Sequence, residues 1–165
     1  MSQKTSNKIE QKDKVLAYSA KTQALFSNEE IKFFELAEQG KLDIDQPLVA
    51  ALPEFSIRTR FPNTAPVTPR NIMCHHSGLP SNFLQGLFVR EPDRFDSVVN
   101  NIQDEYQAFP ANYVFSYSNL GMALLGAAIQ KVSGEPFDSY MDRRFFQPLG
   151  MTQSSFVHRP ITKAY

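Results

Sequence analysis

The sequence predicts a mainly α domain with few, short strands. Helical spacing of apolar residues dominates from Ser27 to Phe146, and capping signals bracket most of the helical segments. Only one stretch, Phe55 to Phe61, alternates apolar and polar residues as a strand would. About five or six helices follow from these signals.

Taken in order, residues 1–26 are polar and mixed in charge and predict a flexible tail. A domain over 27–165 follows. Ser27 to Glu30 has the form of a capping box, with Ser27 as N-cap and Glu30 three residues on. Ile31, Phe34, Leu36 and Ala37 continue at helical spacing, and Gly40 stops the helix. Leu42 to Val49 predict a loop and a turn of helix that ends at Pro53. Phe55, Ile57, Thr59 and Phe61 predict a short strand or extended segment, closed by Pro62 and Pro66.

Thr68-Pro69 supplies an N-cap and a proline at the first helical position, with the helix running through Met73 to His75. Ser77 to Pro80 break it. From Ser81 to Phe109 the pattern is helical but less regular, and Pro92-Asp93 opens a helix with Phe95, Val98, Val99 and Ile102 on one face. A loop spans Phe109 to Ser116. Asn119 to Val132 is the clearest helix, capped by Gly134. The last helix, Phe137 to Phe146, ends before Pro148.

Bulk composition excludes several function classes. The 165 residues carry 17 Lys+Arg and 17 Asp+Glu, so no net field attracts nucleic acid or an anionic membrane. No run of apolar residues is long enough to span a bilayer. The first residues show no apolar signal-peptide core, so the chain as written reads as cytoplasmic. Cys74, the single cysteine, excludes an internal disulfide, and its neighbours Ile72 and Met73 predict a small buried hydrophobe. His, Cys, Asp and Glu show no metal-ligand spacing, and nothing implies a cofactor.

Four stretches carry a resemblance. They are Leu36–Pro47 followed by Leu52–Phe55; Val67–Pro80, which includes His75-His76-Ser77-Gly78-Leu79; Phe115–Gly121 with Leu124-Leu125-Gly126; and Val132–Phe137 with Pro148–Thr152. In this order and spacing they resemble the class C β-lactamases and related esterases and D-alanyl peptidases. The resemblance covers about three quarters of the chain. It implies the helical subdomain of the β-lactamase/transpeptidase-like fold, incomplete relative to the family, whose members are often periplasmic or secreted.

The chemistry this resemblance implies is serine acylation, with a Ser-x-x-Lys helix, a Tyr-x-Asn loop and a C-terminal Lys-Thr-Gly-like strand. Tyr117-Ser118-Asn119 matches the middle motif, so Tyr117 and Asn119 are the implied catalytic residues. Tyr117 would share the proton of the nucleophile, and Asn119 would hydrogen-bond substrate. His75, Ser77, Gly78 and Gly121 match structural positions of the motifs. His76 is expected to make a local hydrogen bond, and His158 stands alone. Asn112, in place of the usual glycine of a Pro-Gly pair, tolerates the left-handed conformation that turn needs.

No nucleophile is identified. Counting back from Gly40 reaches Gln23, and no serine in the sequence lies three residues before a lysine. Ser19 and Lys21 are two apart and share no helix face. The expected function is therefore a partial serine hydrolase domain, inert by itself, that would meet a small-molecule or peptide substrate only with the rest of the fold supplied. The alternatives are a non-catalytic hydrolase-like binding module and an active hydrolase with a displaced nucleophile. With 14 Phe and 42% hydrophobic residues, the helices are also expected to leave apolar surface that a homo-oligomer would cover.

Overall fold

The computed structural model describes Phe33, residues 35–84 and residues 97–156. The tail over 1–26, the capping box Ser27–Glu30, Gln23, the helix start at Pro92-Asp93 with Phe95, and His158 lie outside these residues.

Helix α1 comprises Phe33 and residues 35–38. Phe33 and Leu36 are fully buried. The helix closes through Gly40 at φ +69°, with the Lys41 N–H donating back to the Leu36 carbonyl at 3.0 Å. After a loop, a 3-10 turn at Leu48–Ala50 buries Leu48, whose N–H donates to the Val67 carbonyl. That bond ties this turn to the segment entering the next helix.

Helix α2, Pro69–Met73, starts where Thr68-Pro69 predicts. Thr68 Oγ1 accepts the Asn71 N–H and Asn71 Oδ1 accepts the Thr68 N–H, a capping box built with asparagine in the Glu position. Asn71 Nδ2 also donates to the Pro66 carbonyl, so both ends of this buried amide are bonded. The helix ends at Met73, two residues before the expected His75, because His75 turns left-handed at φ +57°.

Residues 81–84 form no helix, although the sequence pattern there reads as one. Helix α3, Val98–Asn101, runs into a 3-10 turn at Ile102–Asp104 and buries Val99 and Ile102. The alternating segment around Ile57 makes one isolated parallel bridge, Arg58 to Tyr106. Its backbone bonds are Arg58 N–H to Glu105 O and Gln107 N–H to Arg58 O. Arg60 lies 4.1 Å over the Tyr106 ring. Among the described residues no longer strand forms.

Helix α4, Asn119–Ser133, is the centre of the packing, and α2, α3 and the next helix all lie against it. Leu124, Leu125, Ala128 and Ile129 are fully buried along it. Gly121 sets the approach of α2: a Cβ there would stand 2.8 Å from Ile72 Cγ2. Gly134 closes the helix at φ +75°.

Helix α5, Phe137–Met141, takes its first cap from Gln130, whose Oε1 accepts the Phe137 N–H. It then widens into a π turn, Asp142–Phe146, where a uniform α-helix is expected. The Gln147 N–H reaches five residues back to Asp142 O. The extra residue in the turn lets Met141, Phe145 and Phe146 all be buried.

Two outcomes follow from this packing. Burial pushes the Tyr140 hydroxyl from 10.0 up to about 12. Between those values the unfolded chain has lost its phenolic proton and the folded one keeps it. Tyr140 thus contributes stability below pH 10, and that contribution falls as pH rises toward about 12. Chemical denaturation across this window should show an alkaline loss that is smaller in Tyr140→Phe; equal slopes would contradict it. Second, Ser118→Ala removes the N-cap of α4 and strands the Pro80 carbonyl. It should cost about 2 kcal/mol, or roughly 4–8 °C in Tm by calorimetry.

Candidate functional site

The start of α4 and the turn after α2 meet at the residues the motifs mark. Ser118 is fully buried and joins three segments. Its Oγ accepts the Gly121 N–H at 2.9 Å and donates to the Pro80 carbonyl at 2.7 Å. Its N–H donates to His75 Nδ1 at 3.3 Å. One small side chain thus fixes both the helix start and the loop in front of it.

The turn at His75 is a Schellman closure of α2. The His76 N–H donates to Asn71 O at 2.7 Å and the His75 N–H to Ile72 O at 2.9 Å. Glycine usually fills this left-handed position, and a histidine there carries backbone strain of order 1 kcal/mol. The His75 carbonyl accepts the Ser116 N–H at 2.8 Å. Its ring lies 4.4 Å from the Tyr117 ring and meets Phe115 edge-on at 5.6 Å. His76, as expected, bonds locally: its Nδ1 is 2.6 Å from the Cys74 carbonyl.

Ser77 and Gly78 hold the other side of the turn. The buried Ser77 has its carbonyl bonded by Gln107 Nε2, and its Oγ accepts the Leu79 N–H. Gly78 sits at φ +71°, and a Cβ there would fall 2.0 Å from the Phe109 carbonyl oxygen. No other residue fits that contact. Asn112 adopts φ +64°, in the left-handed region that a glycine would otherwise supply, and its N–H donates to His76 O.

Tyr117 and Asn119 leave this frame toward different anchors. Tyr117 is 55% exposed and rests on His75. Asn119 starts α4, gives its N–H to Ser81 O, and donates from Nδ2 to Asn82 Oδ1 at 2.9 Å. The resemblance leads to the expectation that both residues lie on one side of the loop, near the N-terminal part of the Ser27–Gly40 helix; that part lies outside the described residues. Asn82 is a site residue that sequence reasoning missed. Its signal is faint, one of two polar residues, Ser81 and Asn82, just beyond the Gly78-Leu79-Pro80 break.

Cleft size does not locate this chemistry. The larger cleft, about 400 Å³, is walled by the Arg70–Asp45 ion pair, Cys74, His76 and Asn112, with neither Tyr117 nor Asn119. Its bidentate pair, at 2.5 and 2.8 Å, holds the Asp45 carboxyl below the usual aspartate value through the Arg70 hydrogen bond. Cys74 is exposed on this cleft, which corrects the expected buried hydrophobe. As the C-cap of α2 it follows the last inward-facing residue, Met73. The smaller cleft, about 280 Å³, includes Asn82, Phe83 and Leu120 and adjoins Asn119 through Asn82. The hydrogen-bonded residues around Ser118 lie apart from the larger hollow. Among the described residues no group of three or more His, Cys, Asp or Glu could hold a metal, and no helix is long and apolar enough to cross a membrane.

Comparison with known proteins agrees with this geometry. The family model "Beta-lactamase" matches residues 34–164. Over 123 residues the chain is 31% identical to the penicillin-binding-protein relative PbpX of Bacillus subtilis, covering 74% of this chain and 28% of that one. Over 139 residues it is 27% identical to N-acetylmuramyl-L-alanine amidase of the same organism, covering 79% and 30%. The chain therefore spans under a third of the length of these relatives. A penicillin-binding protein from Bacillus halodurans superposes with TM-score 0.64 at 29% identity, covering 82% of this chain and 43% of that one. A β-lactamase/D-alanine carboxypeptidase from Yersinia pestis shares the fold, with TM-score 0.66 at 21% identity, covering 80% and 38%. The chain matches part of the β-lactamase/transpeptidase fold of these neighbours, and it belongs to the Beta-lactamase family.

Proposed function

We propose that this chain supplies the Tyr-x-Asn wall of a serine acyl-hydrolase site, with Tyr117 as proton carrier and Asn119 as the group that holds a substrate amide, lactam or ester. The supporting observation is the bonded frame at Ser118, which fixes the loop immediately before α4 and leaves the Tyr117 ring half exposed. Asn119 keeps its side chain oriented through Asn82 and offers its remaining amide hydrogen to the substrate. The helical domain over 27–165 is the unit that carries this wall. His75, Ser77, Gly78 and Gly121 act by holding backbone in place.

The 165 residues contain no serine three before a lysine, so acylation requires a nucleophile from elsewhere and the chain alone is inert. The same observation favours a second reading, a hydrolase-like module that binds an acyl-peptide or glycan ligand without cleaving it. Self-association is part of the proposal: Tyr113, Val114 and Phe115, 76%, 38% and 61% exposed, form an apolar run beside the site that a second copy would cover, leaving Tyr117 open. Sedimentation at micromolar concentration should show a dimer or larger species. A monomer would remove that part of the proposal.

The site itself is tested by titrating the chain with benzylpenicillin while following amide resonances and intact mass. Shifts confined to Asn82, Tyr117 and Asn119, weakened at least tenfold by Asn119→Ala, with no added mass, are expected. A covalent adduct would overturn the inertness, and shifts centred elsewhere would overturn the site.

A further inference from the structure

The geometry points to His75 as a positioning residue for Tyr117, acting through the neutral imidazole tautomer that carries its proton on Nε2. This inference rests on the proposed role of Tyr117 and adds to it the group that aims the phenol.

Three contacts converge from this residue on one short loop. The His75 carbonyl accepts the Ser116 N–H, Nδ1 accepts the Ser118 N–H, and the ring lies against the Tyr117 ring between them, tilted by 43° with centroids 4.4 Å apart. The residues on both sides of Tyr117 are therefore bonded to the residue that its ring rests on. A phenol on a loop has two soft backbone torsions on each side. Bonds at Ser116 and Ser118 remove most of that freedom, and the ring contact selects the side-chain direction.

The tautomer follows from the donor. A backbone N–H only donates, so Nδ1 must accept and the proton of a neutral ring lies on Nε2. The position of His75 in the chain supports a side-chain role. It fills the left-handed place of a Schellman turn at φ +57°, where glycine would serve without strain. Gly134, at φ +75°, shows the usual solution at the end of α4. At His75 the turn keeps an imidazole, and both the ring and Nδ1 face the Tyr117 loop. His76 is next in sequence but bonds to the Cys74 carbonyl, so it makes the natural control.

The test uses the intact chain without ligand, so it is independent of the penicillin titration. Imidazole nitrogen shifts are read at about pH 8.5, two units above the ordinary imidazole pKa. His75 should show the Nε2–H form; an Nδ1–H form would overturn the proposal. Amide exchange at Ser118 is then measured relative to Leu124 in the middle of α4. His75→Ala should raise it about tenfold, the loss expected of one hydrogen bond. Asparagine tolerates the left-handed backbone and offers an acceptor near the place of Nδ1, so His75→Asn should keep Ser118 protected. Both variants should move the Tyr117 ring protons to unstacked values, and His76→Ala should move neither signal. If His75→Ala does not fold, His75→Asn decides. Loss of Ser118 protection in it, or Tyr117 shifts like those of the original chain, would overturn the assignment. Failure here leaves Tyr117 and Asn119 as the proposed site. Failure of the titration with success here leaves a positioned phenol without that ligand.

Discussion

The hydroxyl of Ser118 is the contact on which the rest of the arrangement depends. It is buried, and both of its hydrogen-bonding capacities are spent on backbone, one on the first turn of α4 and one on Pro80. A buried hydroxyl with either partner removed would carry an uncompensated desolvation cost of about 1–3 kcal/mol. The helix start and the loop after α2 are therefore fixed together or not at all. Because α2, α3 and α5 all pack on α4, an error at its first turn would pass to every helix contact.

That constraint explains why small or conformationally special residues gather at the site. Gly121 permits α2 to approach until Ile72 touches the helix backbone, and Gly78 permits the Phe109 carbonyl to lie where any side chain would be. His75 and Asn112 take left-handed conformations and are joined through neighbouring backbone, His76 O accepting from the Asn112 N–H. The loop that carries Tyr117 is short of regular secondary structure. Its order comes from specific bonds to the α2 turn, not from a ladder.

Much of this was legible in the chain. Thr68-Pro69, Asn119 and Gly134 bound helices where capping chemistry says they should, because each cap is local and involves residues three or four apart. The elements that departed from expectation are settled by longer-range packing. Periodicity cannot see the π turn at Asp142–Phe146, which brings Met141, Phe145 and Phe146 together inside the core. It gave residues 81–84 helical character, but the Ser81 carbonyl is used by the N–H groups of Asn119 and Leu120. Cys74 looked buried from its apolar neighbours, yet it is the residue at which the helix face turns outward. Asn82 gave almost no signal, since its importance lies in a partner 37 residues away.

The separation of the two clefts bears on how such a domain should be read. The larger hollow is lined by an ion pair whose two members bond each other in a bidentate pair. The Tyr117 and Asn119 groups stand outside that hollow, where the frame beneath them is the more constrained part. Preorganisation costs free energy only where a group must be held against its own conformational freedom. Here the strain at φ +57°, the buried serine and the glycine that tolerates no Cβ all lie within a few residues of one phenol. A fold that needed this loop only as a connection could have met its ends with glycine and a plain turn. The concentration of constraint, more than the size of any hollow, is what supports the proposed site.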